Sequence, residues 1–320
     1  MKGTASFTLT VVLVILITVT ASCWNYGKNR ESKPMTGIQK KLYEHVDYLT
    51  KIKPYRNHKN VQSLNQAVGY IENYFKDNQL TTELQKYKVD GNEYTNVIAT
   101  YGPADAERLV VGAHYDVCGD QPGADDNASA VAGLLEIARL LNEKKPNLKY
   151  RIDLVAYPLE EPPYFASENM GSAHHAAYLY NNKIKVKGMI CLEMIGYFSD
   201  KPNSQNFPDP ALSKIYPNTG NFIIVVGRKG QENFSDAVKK IMAKNSAIDV
   251  QSINFPHSEG LAGLSDHRSY WKYNFPALMI NDTAFLRNPH YHEKSDTIDT
   301  LDFEKMAEVV KGAFAAVIGL

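Results

Sequence analysis

The chain has 320 residues, 44% hydrophobic and 22% charged, which is ordinary globular composition and enough for one large domain or two small ones. Its 35 basic and 35 acidic residues cancel, and no basic block stands out, so the charge pattern argues against a nucleic-acid partner.

Residues 1–22 read as a targeting segment. Lys2 opens it, and Phe7 to Val19 is an apolar stretch with the length of a signal-peptide core rather than of a membrane span. Small residues then run up to Cys23, a pattern similar to a bacterial lipoprotein cleavage site, with Thr20 where leucine is usual. Lipoprotein processing is the first expectation, plain secretion the second and an uncleaved anchor the third. All three export the mature domain, as a cell-envelope lipoprotein or as a periplasmic or secreted protein, with a lipid at Cys23 as the expected membrane attachment. Residues 23–35 are polar and read as a tether. Residues 36–320 show no repeat and no second composition regime, and read as one domain.

Helices are expected from Thr36 to Thr50 and from Val61 to Asn78, where Leu64, Val68, Ile71 and Phe75 share a face. Apolar strand candidates follow, beginning at Asn96, Arg108, Tyr150, Val186, Asn221 and Phe275. Helical stretches lie between them: Asn127 to Asn142, Gly171 to Asn181, Glu232 to Lys244, and Asp302 to Ile318 after the last strand. Near-continuous apolar strands alternating with helices predict an α/β fold of three layers, a mixed, mostly parallel central sheet with helices on both faces. Two stretches without periodicity, Phe198 to Gly220 and Phe255 to Ser265, are long enough to be functional loops. Cys118 and Cys191 either pair or remain two separate thiols.

In such a sheet, ligands bind at the carboxyl ends of the strands. The polar residues at those ends form a pattern: "VVGAHYD" supplies His114 and Asp116, "LVAYPLEE" supplies Glu160 and Glu161, "MICLEMIG" supplies Glu193, and "PHYHEKSDTID" after the last strand supplies His290 and His292. Asp125 and Asp126, in "GADDNASA", stand at an expected helix N-terminus, which favours a charged carboxylate. Singly, each is commonplace: lone histidines are mostly structural and acidic residues at helix starts are mostly caps. Together, imidazoles and carboxylates on one sheet edge suit a pair of zinc ions, one with His114, one with His292, and a carboxylate such as Asp126 between them.

The motifs "HYD", "GADDNASA", "LEEPP…GS", "CLEMIGY", "LSDHRSYW" and "YHEKSDTID", in this order, resemble the co-catalytic zinc aminopeptidase family, whose relatives include zinc carboxypeptidases and glutaminyl cyclases. The resemblance spans about Tyr94 to Ile318. It implies that His114 and Glu193 bind one zinc, Glu161 and His292 the other, and that Asp126 bridges them. Glu160 is then the general base, Asp116 orients His114, and Tyr291 helps to hold the oxyanion. Glu193 departs from the family, which commonly has aspartate there, and bears on whether one or two ions bind. Asp266 and His267 match the pattern without an assigned role. The implied activity is an exopeptidase, an aminopeptidase acting on peptides with a free N-terminus. A glutaminyl cyclase with a single zinc on Asp126, Glu161 and His292 is the second reading, and a non-catalytic, peptidase-like binding domain the third.

Overall fold

The computed structural model describes residue 35 and residues 37–320; the expected leader, the lipid site at Cys23 and all but the last residue of the expected tether lie outside the described residues. Among the described residues, eight strands form a single sheet: β1 (Thr81–Val89), β2 (Asn92–Tyr101), β3 (Arg108–His114), β4 (Arg151–Tyr157), β5 (Val186–Glu193), β6 (Phe222–Arg228), β7 (Asp249–Phe255) and β8 (Ala277–Asn281). Their spatial order is β1-β2-β4-β3-β5-β8-β6-β7. The β4–β3, β3–β5, β5–β8 and β6–β7 pairs are parallel, and the β1–β2, β2–β4 and β6–β8 pairs antiparallel. The expected mixed, mostly parallel sheet is the one observed.

Strand alternation divides the core between two layers, because successive side chains point to opposite faces. Leu109, Val111 and Ala113 of β3 join one buried cluster, while Val110 between them joins another. The first cluster packs under α1 (Ile38–Lys51), α2 (Val61–Asp77), α3 (Ala130–Lys144), α5 (Glu232–Asn245) and α7 (Phe303–Gly319). The second packs under α4 (Gly171–Asn181) and the short α6 (His267–Trp271). Among the described residues, no helix is long and apolar enough to cross a membrane.

Two strands, β1 and β7, were not expected. Both lie at the sheet edges, and their side chains are mostly exposed or half-exposed. An edge strand with polar alternation lacks the continuous apolar run that marks the central ones. Asp126 also departs from expectation. It does not sit in helical geometry: its φ/ψ of −102°/92° lies within a wide turn, Ala124–Ser129, and α3 begins only at Ala130. Cys118 and Cys191 are free thiols, so of the two readings the unpaired one holds.

Candidate active site

The four adjacent parallel strands β4, β3, β5 and β8 bring their carboxyl ends to one edge, and the candidate residues meet there. His114 is the last residue of β3 and Glu193 the last of β5. Glu160 and Glu161 follow β4, and His292 stands in the loop after β8. Asp126 is central. Its Oδ1 lies 3.4 Å from His114 Nε2, and its Oδ2 lies 3.1 Å from His292 Nε2. Glu193 Oε2 approaches His114 Nε2 to 3.3 Å, and Glu161 Oε2 approaches His292 Nε2 to 3.3 Å. Glu160 Oε2 lies 3.8 Å from His114 Nε2. Six of the eight residues expected from sequence thus converge within contact distance, on two sides of one aspartate.

Their backbones are held by residues outside the cluster. Asp116 accepts the backbone N–H groups of Glu160 (3.2 Å) and Glu161 (3.1 Å), one on each oxygen, while its Oδ1 lies 3.4 Å from His114 Nδ1. One carboxylate therefore holds the two glutamates and lies against the imidazole. Leu159, just before the pair, is left-handed at φ 64°, Met194, just after Glu193, at 42°, and His292 at 58°. Three non-glycine residues in this uncommon region border or belong to one site, which is where proteins concentrate such strain. At Leu159 the reversal breaks the strand alternation, so both glutamates can face the cluster.

Three more residues were not anticipated in these roles. Asp296 accepts the N–H groups of Asp125 (2.9 Å) and Asp126 (3.0 Å) and so fixes the central aspartate, the work expected of a helix terminus. Arg56 is fully buried and donates to the carbonyls of Leu49, Tyr115, Pro122 and Gly123, tying down the segment between His114 and Asp126. Ser265 donates a 2.6 Å hydrogen bond to Glu193 Oε2. That contact anchors the side chain that is one methylene longer than the aspartate common in the resembled family.

The electrostatics call for cations. Burial pushes Glu160 well above its ordinary value and Glu161 up to about 8, with the charge of Asp126 adding to the latter. Burial alone would lower the two histidines, but the carboxylates prevail: Glu193 and Glu160 raise His114 well above its usual range, and Asp126 and Glu161 raise His292 to about 10. Burial alone would raise Asp126, yet the two imidazoles hold it well below the usual carboxylate range. Four acidic groups packed against two imidazoles are stable only with protons or cations among them. Among the described residues, Asp126 Oδ1 and Glu161 Oε1 are buried with no hydrogen-bond partner, which leaves lone pairs for a metal. Imidazole nitrogen and carboxylate oxygen are the donors zinc accepts, so the residues fit the ion. The thiol of Cys118 borders the same cluster; burial and then Glu161, Asp126, Asp116 and Glu160 push it up to about 12.

Tyr291 stacks on the His292 ring, with centroids 3.8 Å apart, and lines the adjoining cleft together with Glu193. That cleft encloses about 850 Å³, open to solvent, and its walls include Phe207, Leu212, Phe255, Leu264 and Met279. The two aperiodic loops supply part of this lining. His290 turns away and meets Ser295 Oγ at 2.9 Å, so it does not compete with His292. His267 is a core residue, its Nε2 2.6 Å from Ala262 O and its ring edge-on to Trp271. Asp266 is fully buried, and that burial pushes it up to about 7.

The sequence matches the profile of Peptidase family M28 over residues 96–317. It is 45% identical to the uncharacterized protein YfbL of Escherichia coli (strain K12) over 289 residues, 88% of either chain. It is 28% identical to the probable leucine aminopeptidase 1 of Trichophyton verrucosum over 227 residues, 68% of this chain but 55% of that one; the chain spans about half the length of this fungal relative. The fold matches the aminopeptidase LapA of Legionella pneumophila with a TM-score of 0.71 at 22% identity, covering 88% of this chain and 71% of LapA. Glutaminyl cyclases share the fold as well. This chain belongs to peptidase family M28 and is a metallopeptidase.

Proposed function

We propose that the protein is an aminopeptidase that removes the N-terminal residue of peptides with the help of two zinc ions. The observation that carries this reading is the two-sided Asp126, which faces His114 with one oxygen and His292 with the other. His114, Asp126 and Glu193 would hold one ion, and Asp126, Glu161 and His292 the other. Bound zinc would supply a water acidic enough to attack at neutral pH and would polarise the scissile carbonyl.

The chain's own groups would do the rest. Glu160 lies next to the ligand set without being needed in it. Its carboxylate, 3.8 Å from His114 Nε2, is placed to take the proton of the attacking water and pass it to the leaving amine. Glu160 and Glu193 also give the negative surroundings that a free α-ammonium requires. Tyr291 borders both His292 and the cleft, and its hydroxyl would steady the developing oxyanion. The apolar cleft beside Glu193 and Tyr291 would take the first side chain of the substrate. The proposal keeps the expected export, with the lipid at Cys23, as its cellular setting.

A glutaminyl cyclase with one zinc is the second reading, and the shared fold supports it. It leaves His114, buried between Asp126 and Glu193, without a metal to bind. The test is mass spectrometry of a peptide panel with free and blocked N-termini, incubated with zinc-loaded protein, together with zinc stoichiometry. Stepwise loss of N-terminal residues from free amines alone, at two zinc ions per chain, is the expected result. Loss of ammonia from N-terminal glutamine at one zinc would replace this reading with the cyclase. An unchanged panel would sink both.

A further inference from the structure

Cys118 lies just past the end of β3, four residues after His114, and is half-buried. Its sulfur, a carboxylate oxygen of Glu161 and a ring nitrogen of His292 all fall within 4.8 Å of one another. A free thiol beside an acidic group is by itself an ordinary thing. Here the acidic group is 4% exposed, and its Oε1 is buried with no hydrogen-bond partner among the described residues. The imidazole in the trio is the one that Asp126 Oδ2 approaches to 3.1 Å. Three potential donors of three chemical kinds thus face one another here, and Asp126 adjoins them through His292.

We propose that Cys118 is a fourth protein ligand of the second zinc, completing the set of Asp126, Glu161 and His292. This rests on the two-zinc reading above. Zinc accepts thiolate sulfur at about 2.3 Å alongside nitrogen and oxygen donors, and four protein donors make the closed arrangement of retained ions. The metal–sulfur bond forms as the thiol proton leaves for solvent. The other site, His114, Asp126 and Glu193, keeps three protein donors and an open position. The two ions would then differ in role: one held firmly by sulfur, the other facing the substrate. A sulfur donor also tilts the second site toward zinc and away from harder ions such as magnesium or manganese.

The test replaces zinc by cobalt(II) in the purified chain and records its absorption spectrum. Cobalt on nitrogen and oxygen donors shows visible bands, and a bound thiolate adds a charge-transfer band in the near ultraviolet. Both features are expected in the wild type, and Cys118→Ser should keep the first and lose the second. Visible bands without the near-ultraviolet band would overturn the role of Cys118 while leaving the metal reading intact. A near-ultraviolet band that survives in Cys118→Ser would assign the sulfur elsewhere and overturn it too. Absence of both features would sink the metal reading itself. As a second measure, chelator competition should show the more tightly held zinc of Cys118→Ser weakened by at least about 10- to 100-fold, the loss that outer-sphere changes alone produce; unchanged affinity would overturn the proposal.

Discussion

The hydroxyl of Ser265 donates a 2.6 Å hydrogen bond to Glu193 Oε2, the oxygen that faces His114. A glutamate has one more rotatable bond than an aspartate, and this contact removes that freedom. A hydrogen bond to a charged acceptor is short and about twice as strong as a neutral one. Ser265→Ala should therefore weaken zinc at the His114 site by about 10- to 100-fold, with the second ion unaffected. Zinc titration against a calibrated chelator would reveal one weakened and one unchanged site. Two unchanged sites would mean that Glu193 does not bind metal.

Glu160 and Glu161 are neighbours with different surroundings. Glu161 lies 3.3 Å from His292, whereas the histidine that Glu160 approaches is His114, at 3.8 Å. Glu160→Gln keeps the shape and removes the base. It should retain both zinc ions and lose about 10²- to 10⁴-fold in kcat. Glu161→Gln should instead lose metal. Metal analysis beside steady-state kinetics separates the two, and zinc loss in Glu160→Gln would show that the two roles are exchanged.

The ligand candidates were legible because chemistry-bearing residue types stood at the ends of apolar runs, and a parallel sheet brings such ends together. Their supports were not. Ser265 is 72 residues from Glu193, Arg56 is 59 from the Tyr115 carbonyl it binds, and Asp296 is 170 from the Asp126 N–H it holds. Ser265 and Asp296 fall inside the quoted motifs "LSDHRSYW" and "YHEKSDTID", but each of the three is a common polar type whose partner is supplied by the tertiary fold alone. The Asp126 turn illustrates the same point. A helix start was a reasonable expectation for "GADDNASA", but the backbone there follows Asp296 and the site rather than helix propensity. β1 and β7 were missed for a different reason: edge strands with one wet face carry half the apolar signal of buried ones.

Away from the metal cluster, His175 sits under β4, 1% exposed, its Nδ1 2.6 Å from the hydroxyl of Tyr270, which lies 2.7 Å from that of Tyr157. Burial lowers His175 to about 4. The folded state therefore prefers the neutral ring, and between the unfolded value of about 6.5 and 4 the unfolded chain binds more protons. Stability from this group is complete above about pH 6.5 and falls as the pH drops toward 4, by roughly 3 kcal/mol at the limit. Denaturant unfolding of the metal-loaded protein at pH 7.5 and pH 5 should show the loss. His175→Gln, which cannot titrate, should show a smaller one. An equal pH dependence in the variant would place the titration elsewhere.

The cleft beside Glu193 and Tyr291 predicts which N-terminal residues are preferred. Its walls carry Phe207, Leu212, Phe222, Val226, Phe255 and Met279, and its charged lining residue is Glu193, at the metal end. A side chain entering it exchanges water for hydrocarbon, about 25 cal/mol for each Å² of apolar surface covered. A leucine or phenylalanine covers enough more than an alanine to stabilise the transition state by about 1–3 kcal/mol, or 10- to 200-fold in kcat/KM. A glutamate would add a second negative charge to the cleft that Glu193 lines, and a lysine would have to shed its water along mostly apolar walls, so both should fall below alanine. The measurement is kcat/KM across N-terminal alanine, leucine, phenylalanine, lysine and glutamate in an otherwise fixed peptide. A flat series would mean that the first side chain points away from the cleft. A preference for lysine would mean that Glu193 meets the substrate's side chain rather than its amine.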